Sequence, residues 1–131
     1  MTRLSGQTAT SDKSTAAVFE FLSEFSNFQK LLPPQVIDFV LDEEGCSFTI
    51  KGMASLGLAY QSKKPNSEIV MVSKGKVPFA FTMTALIGEQ GAGSTLQFVL
   101  DAELNPFLKM MAEKPLTNFL NLLAEKLGSS I

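Results

Sequence analysis

The side chains that could carry out chemistry in this chain are few and poorly matched to catalysis. The sequence contains no histidine, which removes the commonest general base and metal ligand and excludes Ser-His and Cys-His nucleophile pairs. Cys46 is the only cysteine, so neither an intrachain disulfide nor a thiolate metal cluster can form. A thiol at an inward strand position behaves as a small hydrophobe. We therefore expect no cofactor, no metal site and no redox role.

The acidic side chains and the one tyrosine are the remaining candidates for proton transfer. Catalysis would need an acid or a base directed into a pocket. Tyr60 is the only group of the predicted strands that faces inward and could exchange a proton, and buried tyrosine hydroxyls more often satisfy a hydrogen bond. The sequence therefore favours a protein that is not an enzyme. The period-two pattern places four carboxylates on the outer face of a sheet, namely Asp38, Asp42, Asp101 and Glu103.

The composition is typical of a globular protein, and we interpret residues 1–131 as one domain. Hydrophobic residues make up 45% of the chain, and 11 Lys+Arg against 13 Asp+Glu give a net charge of −2. Because no run of like charge exceeds a few residues, the chain lacks the electrostatic footprint of a nucleic-acid-binding protein. The first residues have no signal-peptide pattern, and no stretch has the length of a membrane span. We expect a cytoplasmic protein without stable membrane insertion.

The first part of the chain predicts a strand followed by two short helices. TRLSGQTA, residues 2–9, is expected to form the strand, and Ser11 is expected to cap the first helix. Apolar residues at helical spacing follow in VFEFLSEFSNFQKLL, residues 18–32, and Pro33 and Pro34 end that run. We divide the run into two helices at its central serine and asparagine.

The middle of the chain changes to a period of two, which is typical of strands in an antiparallel sheet. CSFTIKGMASLGLAYQ, residues 46–61, alternates throughout and predicts one long strand whose glycines allow it to bend. In the strand before it, Ile37, Phe39 and Leu41 are expected to share one face. Short turns between consecutive strands predict a meandering sheet. Three further strands are predicted in EIVMVSKGK (68–76), FAFTMTALI (79–87) and STLQFVLDAEL (94–104).

The last segment predicts a long helix. Asn105 is a favoured N-cap and Pro106 a favoured first helical residue, and apolar residues then recur at helical spacing as far as Leu127. Pro115 removes one backbone hydrogen bond, so we expect it to kink the helix or divide it in two. A long amphipathic helix must bury its apolar stripe, and the sheet is the only large partner available. We therefore expect the sheet to curve around this helix.

This order of elements resembles the helix-grip fold of the START-like superfamily, also called the polyketide cyclase/dehydratase and lipid-transport group (SRPBCC). The resemblance covers essentially the whole chain, which looks like a short bacterial member. It implies an α+β fold in which a curved antiparallel sheet of about six strands wraps around a long C-terminal helix, with two short helices after strand 1. The segments that carry it are VFEFLSEFSNFQKLLPPQV (18–36), CSFTIKG (46–52) and AELNPFLKMMAEKPLTNFLNLLAEKL (102–127).

The resemblance also implies a pocket between the sheet and the C-terminal helix that holds a small hydrophobic ligand, lipid-like or polyketide-like. We expect non-catalytic binding or carriage of such a molecule. An enzyme of the polyketide cyclase/dehydratase type and a protein-interaction module of the chaperone-activator type are the alternatives. Homodimerisation through a sheet edge or the helix stays open. By position, the expected ligand-binding residues are Phe48, Ile50, Leu58, Tyr60, Phe81, Met83, Phe98, Leu100, Met111, Phe119 and Leu123.

These side chains could instead simply fill the core, and two features of the sequence favour a cavity. Met110 and Met111 are flexible and polarizable, so they adapt to irregular shapes. Small residues such as Gly52 and Ala54 occupy inward positions opposite large ones. Small inward residues would also let the helix approach the sheet closely, so both interpretations remain open.

Overall fold

The structure, a computed structural model, describes residues 2–75 and 77–130. Lys76, which ends the predicted strand EIVMVSKGK, lies outside the described residues. A 3-10 turn, Gln29–Leu31, follows the second helix. Within the described ranges the other elements are β1 (Thr2–Ser5), β2 (Ala9–Ser11), α1 (Thr15–Leu22), α2 (Phe25–Phe28), β3 (Val36–Leu41), β4 (Gly45–Ile50), β5 (Ala54–Lys64), β6 (Glu68–Ser73), β7 (Phe81–Gln90), β8 (Gly93–Ala102) and α3 (Pro106–Ser130).

The strands form one antiparallel sheet, as their short connections predicted. Its order is β1-β8-β7-β6-β5-β4-β3, and β2 also pairs with β8. From β3 to β8 each strand lies beside the next one in the chain. The first segment returns to the last strand, where Thr2 pairs with Ala102 and Ser5 with Val99. With α3 against β8, β1 and β2, the predicted α+β helix-grip fold is confirmed.

Helix α3 is held by its apolar stripe. The ring of Phe119 lies 5.6 Å from the ring of Phe48 on β4, measured between centroids. At the other edge of the sheet, Gly6 lets the chain approach α3 closely, since a Cβ at this position would lie 2.9 Å from the Cβ of Leu120. Full burial of each large apolar side chain contributes about 1.5–3 kcal/mol, so the stripe dominates the attachment of the helix. The stripe consists of Leu116, Phe119, Leu120, Leu123 and Leu127, none of them more than 2% exposed.

The predicted start of α3 is confirmed, and of the two effects expected of Pro115, a kink or a division of the helix, the division does not occur. The Leu108 amide donates to the Asn105 side-chain oxygen over 2.8 Å, so Asn105 caps the helix. The helix then continues without interruption through Pro115 to Ser130. Proline costs a helix interior about 3 kcal/mol. Ala112 and Leu116 are buried on either side of the proline, so packing against the sheet offsets that cost.

The prediction of one long strand over residues 46–61 is wrong, because the chain reverses there. Residues 51–53 form a turn between β4 and β5, and Gly52 adopts a φ of 79°, which favours glycine. The predicted inward face nevertheless survives. Ile50 pairs directly with Ala54 across the turn, so the alternation continues in phase from one strand into the next.

The face predicted for β3 is wrong for Ile37. Val36 and Phe39 pack against the core, whereas Ile37 pairs with Thr49 on the outer side and is 36% exposed. Leu41 pairs with the buried Cys46 and so shares the side of Phe39, although it is 47% exposed. The reason is a register shift between Ile37 and Val40, where Asp38 has a φ of 57°. A bulge adds one residue to a strand and moves every later side chain to the opposite face.

The first segment differs from the prediction in two places. The predicted strand is divided into β1 and β2 near Gln7, whose amide donates to the Asn121 side-chain oxygen over 2.6 Å. The cap of α1 is Ser14 and not Ser11, because Ser14 Oγ accepts from the Ala17 amide over 3.2 Å. Ser11 instead ends β2. The divisions of two predicted strands explain why the described residues contain eight strands and not about six.

Candidate ligand-binding site

Most of the residues expected to line a pocket lie in the hydrophobic core between the sheet and α3. None of them is more than 5% exposed. Aromatic rings follow one another through this core, with Phe28 6.4 Å from Phe48 and Phe48 5.6 Å from Phe119. The expected residues found in the core are Phe48, Ile50, Leu58, Phe81, Met83, Phe98, Leu100, Phe119 and Leu123.

Tyr60 lies elsewhere, at the junction between β5 and the end of α1. Its hydroxyl donates to the Leu22 carbonyl over 2.6 Å, and its ring stacks on Phe25 with centroids 4.0 Å apart. The Lys63 ammonium lies 4.1 Å from the centre of the same ring. Burial is the largest cause that raises the pKa of Tyr60 above its ordinary 10.0. The side chain therefore fastens α1 and α2 to the sheet.

An apolar cavity of about 60 Å³ lies at one end of the sheet–helix interface, and we refer to it as the end cavity. It lies between the first half of α3, the β4–β5 turn and the segment before β7. Met111 is the one expected ligand-binding residue that lines it, and its side chain is 57% exposed. The lining consists of Gly52, Met53, Ala54, Pro78, Phe79, Leu108, Met111 and Ala112.

Sequence reasoning did not assign most of this lining. Met53, Phe79 and Leu108 were not expected to contact a ligand. Gly52 and Ala54 were expected only as small inward residues, and Gly52 also as a point where the strand could bend. The available signal was Gly52 itself, since a glycine inside an alternating run is compatible with a hairpin turn. Side chains next to such a turn lie at the end of a sheet.

The first half of α3 carries an apolar face directed away from the core. Phe107 is 64% exposed, Met110 77% and Met111 57%. Their spacing places all three on one side of the helix, and Ala112 on the buried side is only 3% exposed. One wall of the end cavity therefore borders solvent. Its side chains can move without disturbing the packed core.

No protein-family model and no curated protein matches this chain. Solved structures do match it. KanY has a TM-score of 0.77 at 14% identity, with 98% of this chain and 97% of that chain covered. A START superfamily protein from Mycobacterium smegmatis has a TM-score of 0.66 at 16% identity, with 93% and 94% covered. The fold is START-like. CalU16 from Micromonospora echinospora adds a TM-score of 0.58 at 14% identity, with 98% of this chain and 86% of that chain covered.

The charged side chains that the structure describes lie outside the core. Arg3 Nε donates to Asp101 over 2.8 Å on the outer face of the sheet. The Lys74 ammonium bonds to Asp42, and this is the largest cause that holds the pKa of the Asp42 carboxyl below its ordinary value. Within residues 2–75 and 77–130, no group of three His, Cys, Asp or Glu is placed to hold a metal ion. No helix in the same ranges is long and apolar enough to cross a membrane.

A wider depression of about 730 Å³ lies between α1 and the turn after β5. It is an open surface groove, and Glu20 and Glu24 lie on it beside Phe21 and Pro65. An apolar molecule bound on this open and charged surface would keep much of its contact with water. The end cavity has no charged residue in its lining and is the better candidate for an apolar ligand.

Burial of Cys46 is expected to make the protein less stable at alkaline pH. Burial raises the pKa of its thiol from 9.0 to about 12. Because the folded pKa is the higher one, the stabilisation is complete below about pH 9 and is lost as the pH rises towards 12. Burial also raises the pKa of Tyr60, so ionisation of this residue destabilises the folded protein at alkaline pH in the same way. We expect the urea midpoint to fall above about pH 9, and to fall less in Cys46→Ala. A midpoint that stays constant up to about pH 11 would contradict this prediction.

Proposed function

We propose that this protein binds a small apolar molecule, without catalysis, at the end cavity. The observation that supports the proposal is an apolar space at the sheet–helix interface whose lining contains no charged side chain. Apolar lining with few polar groups is typical of small-molecule sites. The ligand would enter beside Met111, where the wall borders solvent.

The ligand must displace side chains in order to fit. The end cavity holds about 60 Å³, whereas sites for drug-sized molecules are commonly about 300–1,000 Å³. Met53 and Met111 are unbranched and rotate readily, and Leu108 beside them is only half-buried. The helix past Pro115 is fixed by its buried stripe. Opening is therefore confined to the first half of α3 and the β4–β5 turn.

The cyclase/dehydratase alternative gains no support from Tyr60. Its hydroxyl is committed to the Leu22 carbonyl over 2.6 Å, and its ring lies between Phe25 and the Lys63 ammonium. The residue does not line the end cavity. The Tyr60 hydroxyl would have to break its hydrogen bond to the Leu22 carbonyl before it could act as an acid.

Met111→Ala should weaken the binding of 1-octanol by about tenfold, because the ligand loses one apolar wall of its site. Affinity can be measured by NMR titration of the labelled protein. Met110→Ala is the matched control, since Met110 is adjacent, similarly exposed and absent from the lining. We expect the control to bind within about twofold of the wild type. Equal affinities for the two variants would show that the ligand does not bind at the end cavity.

A further inference from the structure

The proline inside α3 lies on the face of the helix that lines the end cavity. Leu108, Met111 and Ala112 contribute to the lining. Pro115 follows Met111 by four residues and Ala112 by three, so it lies one turn further along the same face. It is half-buried in a helix that continues without interruption.

This proline changes the hydrogen bonding of Met111. In an α-helix each amide donates to the carbonyl four residues earlier, so residue 115 would ordinarily donate to the carbonyl of Met111. Proline has no amide hydrogen and cannot do so. The Met111 carbonyl therefore lacks its ordinary helical donor, and Met111 is one of the residues that line the end cavity. A carbonyl oxygen in that state can accept a hydrogen bond from another molecule.

The lining side chains provide no alternative polar anchor. They are glycine, alanine, proline, leucine, phenylalanine and methionine, of which only the methionine sulfur is even a weak acceptor. An ionised or strongly polar ligand would lose its hydration there without compensation. A ligand with one donor group and an apolar remainder would match both the lining and the carbonyl.

We infer that the ligand class is an apolar molecule with a single hydroxyl or N–H group, which donates to the Met111 carbonyl left available by Pro115. This inference rests on the proposed function. A neutral hydrogen bond of ordinary strength corresponds to roughly a three- to tenfold gain in affinity. Pro115 thereby acts as a specificity determinant through the backbone, without contacting the ligand.

The test compares 1-octanol with 1-methoxyheptane, an ether of the same size that has no donor. Both are titrated by NMR against the wild type, Pro115→Ala and Pro115→Gly. We expect the wild type to prefer the alcohol by roughly fivefold. Both variants should lose this preference, because the restored amide at residue 115 occupies the Met111 carbonyl. Alanine and glycine differ by about 1 kcal/mol in helix propensity, so a loss of equal size in the two variants would not follow from helix stability.

Pro65→Ala is the control, since Pro65 lies in the turn after β5, outside the end cavity, and should keep the preference for the alcohol. Equal binding of alcohol and ether by the wild type would overturn the inference. A preference that survives both substitutions at Pro115 would also overturn it. In either case, saturable binding that depends on Met111 would leave the proposed function intact. If neither probe binds the wild type, the proposed function itself fails.

Discussion

Phe119→Ala is expected to lower the free energy of unfolding by about 3–5 kcal/mol. Phe119 is 2% exposed and lies in the centre of the stripe that attaches α3 to the sheet, with its ring 5.6 Å from that of Phe48. Its removal takes away the transfer free energy of a phenyl ring and leaves a cavity between two layers that cannot fully close. Urea unfolding followed by circular dichroism measures the loss.

Phe107→Ala is the control for this substitution. It makes the same chemical change in the same helix, but Phe107 is 64% exposed. We expect it to alter the free energy of unfolding by less than about 0.5 kcal/mol. Similar losses for the two variants would mean that α3 is not held by this face, and the helix-grip arrangement would be wrong.

Gly45→Ala is expected to destabilise the protein by about 3 kcal/mol, the upper end of what overpacking costs. A Cβ at Gly45 would collide with the Leu58 carbonyl oxygen and lie 2.9 Å from the carbonyl carbon. Both atoms belong to the backbone of the neighbouring strand, so no side chain can move aside. The pairing of Gly45 with Ala59 would have to open at this end of β4.

Gly88→Ala serves as the comparison for Gly45→Ala under the same urea protocol. A Cβ at Gly88 would lie 2.6 Å from the Thr95 hydroxyl oxygen, which is the end of a side chain that can rotate. We expect a loss of less than about 1 kcal/mol for this variant. If Gly88→Ala were the more damaging of the two, the close contact between β4 and β5 would not be as the structure has it.

The fold was predictable because its largest signals are periodic. The stripe of α3 and the alternation of β7 and β8 each depend on a repeat that side-chain burial enforces. Even the wrong prediction of one strand over residues 46–61 kept the right inward face, since Ile50 and Ala54 pair across the turn. The bulge at Asp38 could not be predicted from periodicity. A single residue in a left-handed conformation moves the later side chains of β3 to the opposite face, and the sequence pattern contains no sign of it.

The candidate site was predicted less well, because the apolar residues before Pro115 surround the helix and do not mark which side faces the sheet. Met111 and Leu123 were both expected to bind the ligand. In the structure Leu123 is 0% exposed on the side that faces the sheet, whereas Met111 is 57% exposed on the side directed away from the core. The other wall of the end cavity is the β4–β5 turn at Gly52, which is distant in sequence.

The proposal that the end cavity binds an apolar molecule is tested most directly by mapping where the ligand contacts the protein. The measurement is an NMR titration of uniformly ¹⁵N-labelled protein with 1-octanol. We predict saturable shifts of the Gly52, Ala54, Leu108 and Ala112 amides, all of which belong to the lining. The absence of saturable shifts there, or shifts confined to the groove beside α1, would contradict the proposal.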